Sequence, residues 1–456
     1  MITHRLGRFG LGRFAAALTT AGLGLLALPV APAAGASFAV SNTNDSGPGS
    51  LRQAVTDASS AGGVDTVVIP SGLGTITLSS TIEFSGTDLT TVQGNNNTVS
   101  FAAGTAFNSN FGYPYTLDGL TINANQGANT LNGSLTISGS TLNVSSEGAN
   151  TLDGSLTISG STINSDDDGA NTNNGTMTVT DSTINIGPGL GLNTNAGALT
   201  LTNSKIISSS DGDGVNTFSG NISIAGSEIA VGGYGVNSGV GDIAISASSV
   251  IGQGPNTRRG VADSEGPVTL VNSTVTGFSG EGVDASNVTL VYSDIVENGT
   301  DESVNVSAYD LHTFGSILTS SVDDCSITNT TTRSGYNFSN DSTCGLTGTG
   351  DTQNGGSPGL GSLADNGGNS RTFLPQTGSP LINAIPLSSC QADGASGVTT
   401  DQRGLPRPAS TGCEIGSVEL QPTPPPTSTT TAPGSTTSTS ASQSANAVVA
   451  VPRFTG

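Results

Sequence analysis

Two short acidic runs, Asp166-Asp167-Asp168 and Asp211-Gly212-Asp213, place several carboxylates on single turns. An oxygen-rich turn of this kind suits Ca²⁺, which takes six or more carboxylate, carbonyl and water ligands, and Asp166, Asp167 and Asp168 are the candidate ligands. The plain alternative is a solvated acidic turn that keeps the protein soluble. Arg258 and Arg259 sit side by side in Gly254-Pro255-Asn256-Thr257-Arg258-Arg259-Gly260. With Asp211 and Asp213 they form the candidate catalytic set if the chain is an enzyme, since a loop-borne base and a carboxylate can share proton transfer. A third pattern is made of hydroxyls at alternate positions, in the rows Ser134/Thr136/Ser138, Ser155/Thr157/Ser159, Thr176/Thr178/Thr180 and Ala198/Thr200/Thr202. Thr136, Thr157, Thr178 and Thr200 at the row centres are candidate glycan contacts. Threonine also favours exposed strand faces for its own sake.

These residues recur because the chain recurs. Units begin at Ala128, Ala149, Ala170, Leu192, Val215, Val236, Val261 and Val283, at offsets of 21 to 25 residues. Each follows roughly G-(A/V/L)-N-T-x-x-G-x-φ-T-φ-x-x-S-x-φ, with φ aliphatic. The central piece alternates with period 2, as in Ser134-Leu135-Thr136-Ile137-Ser138, and predicts a strand with one aliphatic side. Its pairs run from Leu135/Ile137 through Val288/Leu290, and a later aliphatic position runs from Leu142 through Ile295. One unit cannot bury these side chains, but a stack of units can. A propeller blade would need four strands and a longer period. The expected fold is all-β, a single-stranded right-handed parallel β-helix. Asn129, Asn150, Asn171, Asn193, Asn216 and Asn237 recur at one position and read as amides stacked at an inward turn. Ser140, Ser161, Ser182 and Ser204 read as satisfying backbone groups at another turn.

Composition agrees. Charged residues make up 10% of the 456 residues against 65 Gly and 20 Pro, too few for long solvated helices. The chain carries 34 acidic against 12 basic residues, and Lys205 is its only lysine. A polyanion binder needs clustered Lys and Arg, so nucleic acid is excluded as a partner.

The N-terminus reads as a secretory signal over 1–36, with Arg5, Arg8 and Arg13 before an apolar stretch and Ala34-Gly35-Ala36 as the cleavage site. No later segment is long and apolar enough to span a bilayer. Four cysteines in an exported chain suggest two disulfides. Proximity favours Cys325–Cys344 and Cys390–Cys413 among three connectivities. Residues 421–456 are rich in Pro, Thr and Ser and read as a disordered stalk.

Ser41-Asn42-Thr43-Asn44-Asp45-Ser46-Gly47-Pro48-Gly49-Ser50-Leu51-Arg52-Gln53-Ala54-Val55 resembles the N-terminal cap of pectin-lyase-like parallel β-helix proteins. Ser50 and Gln53 there form the pattern of a capping box opening a short helix. Gly335-Tyr336-Asn337, the run from Pro358 to Gly368, Gly378-Ser379-Pro380-Leu381-Ile382-Asn383-Ala384, Thr400-Asp401-Gln402-Arg403-Gly404-Leu405-Pro406-Arg407-Pro408 and Cys413-Glu414-Ile415-Gly416-Ser417-Val418-Glu419 resemble the choice-of-anchor Q domain of exported bacterial β-helix proteins. The resemblance implies a cap and first coils over 37–115, helix repeats over 116–320 and a disulfide-bearing C-terminal region over 321–420.

Hydrolases of the pectin-lyase-like group carry a histidine in a Gly-His-Gly turn, and its lyases carry Asp-His and Arg-x-Pro-x-x-Arg signatures. Neither is present; past the signal segment the one histidine is His312, in Tyr309-Asp310-Leu311-His312-Thr313. Arg403 and Arg407 read as structural ion-pair partners. The expected function is therefore that of an exported, monomeric, non-catalytic protein at the cell surface, presenting a Thr/Ser/Asn surface to polysaccharide or cell-envelope glycan. It needs no cofactor beyond a possible Ca²⁺. The alternative is a polysaccharide lyase or glycoside hydrolase with unfamiliar active-site residues.

Overall fold

The computed structural model describes residues 35–422, apart from residues 209, 301, 302 and 393. The predicted signal segment, except Gly35 and Ala36, and the predicted stalk from residue 423 onward lie outside the described residues.

The chain winds as a parallel β-helix whose strands stack in three sheets. Sheet A holds the alternating pieces, among them Leu135–Ser138, Leu156–Ser159, Met177–Thr180, Leu199–Thr202 and Ile222–Ala225. Sheet B holds Thr162–Ser165, Thr183–Ile186, Lys205–Ser208 and Glu228–Val231, and sheet C holds Asp168–Thr172, Leu190–Ala196 and Asp213–Ser219. Pairing between coils is parallel and follows the register of the sequence repeat, with shifts at a few positions such as Ala124/Gln126 and Ala308/Asp310. On sheet C Ala128 pairs with Ala149, Ala149 with Ala170, Ala170 with Leu192, Leu192 with Val215 and Val215 with Val236. The aliphatic columns Leu135/Leu156/Leu199/Ile222 and Leu142/Ile163/Ile184/Ile206 are buried in the bore.

The corners explain the rest of the repeat. The glycine that opens each unit (Gly127, Gly148, Gly169, Gly191, Gly214, Gly235) leaves room for the next coil, because a Cβ there would run into the carbonyl oxygen of the following glycine. Between sheets A and B one residue per coil adopts positive φ: Gly139, Gly160, Asp181, Asn203 and Gly226. Gly, Asn and Asp tolerate that conformation best. The next residue is a buried serine. Its hydroxyl accepts the N–H of the serine one coil back, as from Ser161 to Ser182 (3.1 Å) and from Ser182 to Ser204 (3.1 Å), and donates to a carbonyl two residues upstream. The expected role of these serines is thus observed.

The asparagine column is a correction. Asn129 through Asn237 lie on the outer face of sheet C, half-exposed, because they alternate with the buried Ala/Leu/Val that precedes each one. Asn216 donates to Asn193 (2.8 Å) and Asn237 to Asn216 (2.8 Å), so the amides do stack, but outside the bore. The buried residue at that corner is the threonine that follows, Thr151, Thr172, Thr194 or Thr217.

A helix, Leu51–Ser60, buries Leu51, Ala54, Val55 and Ala58 against the first coil. Ser50 accepts the Gln53 N–H (3.2 Å), while the Gln53 side chain turns away to Asp57 (2.7 Å), so half of the capping box forms. At the other end the bridges Cys325–Cys344 and Cys390–Cys413 form as expected. The C-terminal region folds back over sheet B from Glu228 onward. Arg371 pairs with Glu228, Gln402 accepts from Thr274 (2.7 Å), and Ser417 donates to Asp294 (2.6 Å). Tyr292, Phe314 and Ile317 bury against Leu381, Ile385 and Ile415.

Candidate functional site

Where the C-terminal region stops, sheet B is open. One outward column of this sheet runs Ser100, Asn123, Asn143, Asn164, Asn185, Ile207, Ala230, Ile251 and Thr276, in register coil by coil. Its first part floors a groove of about 820 Å³. Ala102, Pro188 and Ile207 give the groove its exposed apolar surface, Ser145, Asp166 and Ser210 give it a polar rim, and the buried Ala124, Val144 and Ile186 lie beneath the strands between the amides. The strand rule that sends Ile163 and Ile184 inward sends Asn164 and Asn185 outward.

The floor is an amide ladder. Asn143 donates to Asn123 (2.9 Å), Asn164 to Asn143 (2.8 Å) and Asn185 to Asn164 (2.8 Å), all in the same direction. A side-chain amide has two N–H groups and an oxygen that accepts twice. Each internal rung therefore keeps one N–H and one lone pair for a ligand. The sequence contains this signal, as the Asn in Thr141-Leu142-Asn143-Val144 and its equivalents, but the sheet A hydroxyls drew attention away from it.

Beside the groove, a hollow of about 420 Å³ is lined by Asp181, Thr183, Asn203, Lys205 and Asn369. Asn369 donates to Asn203 there (3.2 Å), one coil before the Arg371–Glu228 contact.

The predicted glycan row is assembled as expected in space. Thr136, Thr157, Thr178 and Thr200 are register partners on the outer face of sheet A and half-exposed. The column continues through Ser223, Ala244, Thr269, Thr289 and His312.

The two acidic turns do not meet. Asp168 is aligned with Glu147 one coil earlier and with Leu190 one coil later, and Leu190 separates it from Asp213. Asp168 accepts the Leu190 N–H (2.7 Å) and an Asn171 amide hydrogen (3.2 Å). Glu147, which sequence reasoning missed, accepts from Asn171 (2.6 Å), and burial pushes its carboxyl above the usual range. Among the described residues no group of three or more His, Cys, Asp or Glu gathers to hold a metal ion.

The candidate catalytic set is partly brought together around Tyr234. Asp213 accepts the Tyr234 N–H (2.7 Å), and burial raises its carboxyl against the opposing pull of that bond and of Arg258. The Arg258 guanidinium lies over the Tyr234 ring (5.1 Å), and Asp211 accepts from Asn256 (3.3 Å). Arg259 pairs with Glu281 (2.8 Å) and Asp284 (3.0 Å). Burial works against its charge, yet the two carboxylates outweigh burial and hold its pKa above the ordinary value. A guanidinium so held keeps its proton, which opposes a role as base.

No family profile matches the chain, and no curated protein matches it. Among solved structures the chain is similar to the crystal structure of pectate lyase Pel9A, at 14% identity and a TM-score of 0.41, over 85% of this chain and 97% of that one. Identity and score this low carry no activity across.

Proposed function

We propose that this protein is an extracellular, non-catalytic polysaccharide-binding β-helix, which lays a glycan chain along the open part of sheet B. The observation that carries the reading is the groove over Asn123, Asn143, Asn164 and Asn185, an extended slot with a hydrogen-bonding floor and exposed apolar surface at Ala102, Pro188 and Ile207. Slots of mixed apolar surface and a few fixed polar groups are the usual form of a ligand site. Export and a cell-surface location are supported by the signal-like residues 1–36 and by two disulfides. Among the described residues no helix is long and apolar enough to cross a membrane. The resemblance of both flanks to exported β-helix families fits the same setting, and a monomer is the expected state.

The test is affinity electrophoresis of the purified protein through gels containing a polysaccharide panel. Retardation by at least one polymer, lost in Asn143→Leu/Asn164→Leu and kept in Thr157→Val/Thr178→Val, is the expected result. Retardation lost only in the threonine variant moves the site to sheet A. No retardation in any gel rejects the reading.

A second reading, a lyase or hydrolase with non-standard residues, draws on the meeting of Asp213 and Arg258 at Tyr234. New reducing ends from any polymer in the panel, abolished by Arg258→Ala, would favour it.

A further inference from the structure

We infer that the sheet B groove selects an uncharged, hydroxyl-bearing polysaccharide and rejects acidic ones; this rests on the proposed groove function. The ladder consumes one N–H and one lone pair of each internal amide, so Asn143 and Asn164 each present a donor and an acceptor side by side. The pair repeats at the coil spacing of about 4.8 Å. A sugar hydroxyl both donates and accepts, and it satisfies both halves of a rung. A carboxylate only accepts. It satisfies the N–H and leaves the amide oxygen facing negative charge, with its own lone pairs stripped of water.

The surroundings point the same way. Of the described residues lining the groove, Asp166 alone is charged, and it is negative. Among the described residues no Lys or Arg lines it, while the chain carries a formal net charge of −22. At low salt a polyanion approaching the groove meets the repulsive field of this net negative charge. Ala102, Pro188 and Ile207 offer instead a modest apolar surface of the kind that the C–H faces of a sugar ring require. Lys205, the only lysine, lies in the neighbouring hollow with Asp181, outside the groove lining. The ladder also has a sense. Asn123 keeps both N–H groups and Asn185 keeps both lone pairs, so the two ends of the floor differ and favour one direction of the bound chain.

The experiment uses pairs of polymers that share a backbone and differ chiefly in charge: a polyuronate and its full methyl ester, and carboxymethyl- and hydroxyethyl-cellulose. Binding to the purified protein is measured at low and high salt, with chelator and with Ca²⁺. The uncharged member of at least one pair should bind about tenfold tighter or more, equivalent to about 1.4 kcal/mol. The preference should persist in high salt, because it arises from hydrogen-bond matching as well as from the long-range field. It should disappear with all binding in Asn143→Leu/Asn164→Leu. Equal or tighter binding of the acidic member, with or without Ca²⁺, or acidic binding lost in Lys205→Ala, overturns the inference while leaving the groove as a glycan site. No binding of any polymer removes the groove function and the inference with it.

Discussion

Asn185 and Ile207 are register partners on sheet B, one coil apart, and the outer face changes character between them. On the Asn185 side the column is amide, open to solvent and hydrogen-bonded rung to rung. Beyond Ile207 it becomes Ala230, Ile251 and Thr276, all buried beneath the C-terminal region. The same winding thus supplies a binding floor in one half and a packing surface in the other.

That boundary can be moved. Asn185 has an unused oxygen facing the next coil, so Ile207→Asn should add a rung with little change in melting temperature and stronger polymer retardation. Ala230→Asn should instead bury an amide under the C-terminal region and destabilise the fold by about 1–3 kcal/mol. Denaturant unfolding of the two variants separates the cases, and equal loss from both would contradict the boundary.

The buried serine ladder should be worth more than any exposed hydroxyl. Ser204→Ala removes the acceptor for the Ser182 N–H and the donor to the Thr202 carbonyl (2.7 Å). A loss of about 1–3 kcal/mol is expected, against no more than about 0.5 for Thr178→Ala on the surface of sheet A. Chemical denaturation of both variants is the check.

The two ends of the molecule should respond oppositely to pH. Burial pushes Asp294, bonded to Ser417, and Asp324, bonded to Ser339, up to about 6. Folding raises these pKa values above the unfolded value of about 3.9, so their contribution is full below about pH 4 and is lost as pH rises through about 6. Asp45 is held down at about 2 by its bonds to Ser79 and Arg52, so its contribution is present above about pH 4 and lost as pH falls towards 2. Asp294→Asn should flatten the fall in stability between about pH 4 and 6. Asp45→Asn should flatten the fall at acid pH. Stability curves across this range decide, and an unchanged slope in Asp294→Asn would count against the assignment.

Arg407 and Glu419 form an ion pair with both side chains fully buried (3.1 Å), and the guanidinium lies 3.9 Å from the centre of the Tyr292 ring. Arg407 also donates to the carbonyls of Glu414 (2.9 Å) and Gly416 (2.8 Å). Burial and the neighbouring Glu414 raise the Glu419 carboxyl even with Arg407 present. Arg407→Met strands that carboxyl and should cost about 3–5 kcal/mol near neutral pH, with less loss in acid, where Glu419 protonates. Arg407→Met/Glu419→Gln should recover part of the loss. Thermal unfolding at two pH values measures both effects.

The repeat alone determined the winding. Its aliphatic alternation, its turn glycines and its offsets specify which residues stack, and Ala149 pairs with Ala170 and Leu192 with Val215 as the sequence alignment requires. Sequence proximity also favoured the disulfide pairing that forms. Side-chain direction at corners was less legible. Asn150 and Thr151 are neighbours of similar polarity, and only the position of the turn decides that the threonine enters the bore. The groove lay further beyond reach. Asn143, Asn164 and Asn185 become a floor because the C-terminal region, 166 residues later in the case of the Asn203–Asn369 contact, covers the continuation of their column and leaves them open. Local pattern sets which way a residue points from its own strand. What then lies above it depends on contacts between segments far apart in sequence, and those exist only once the chain has folded back on itself.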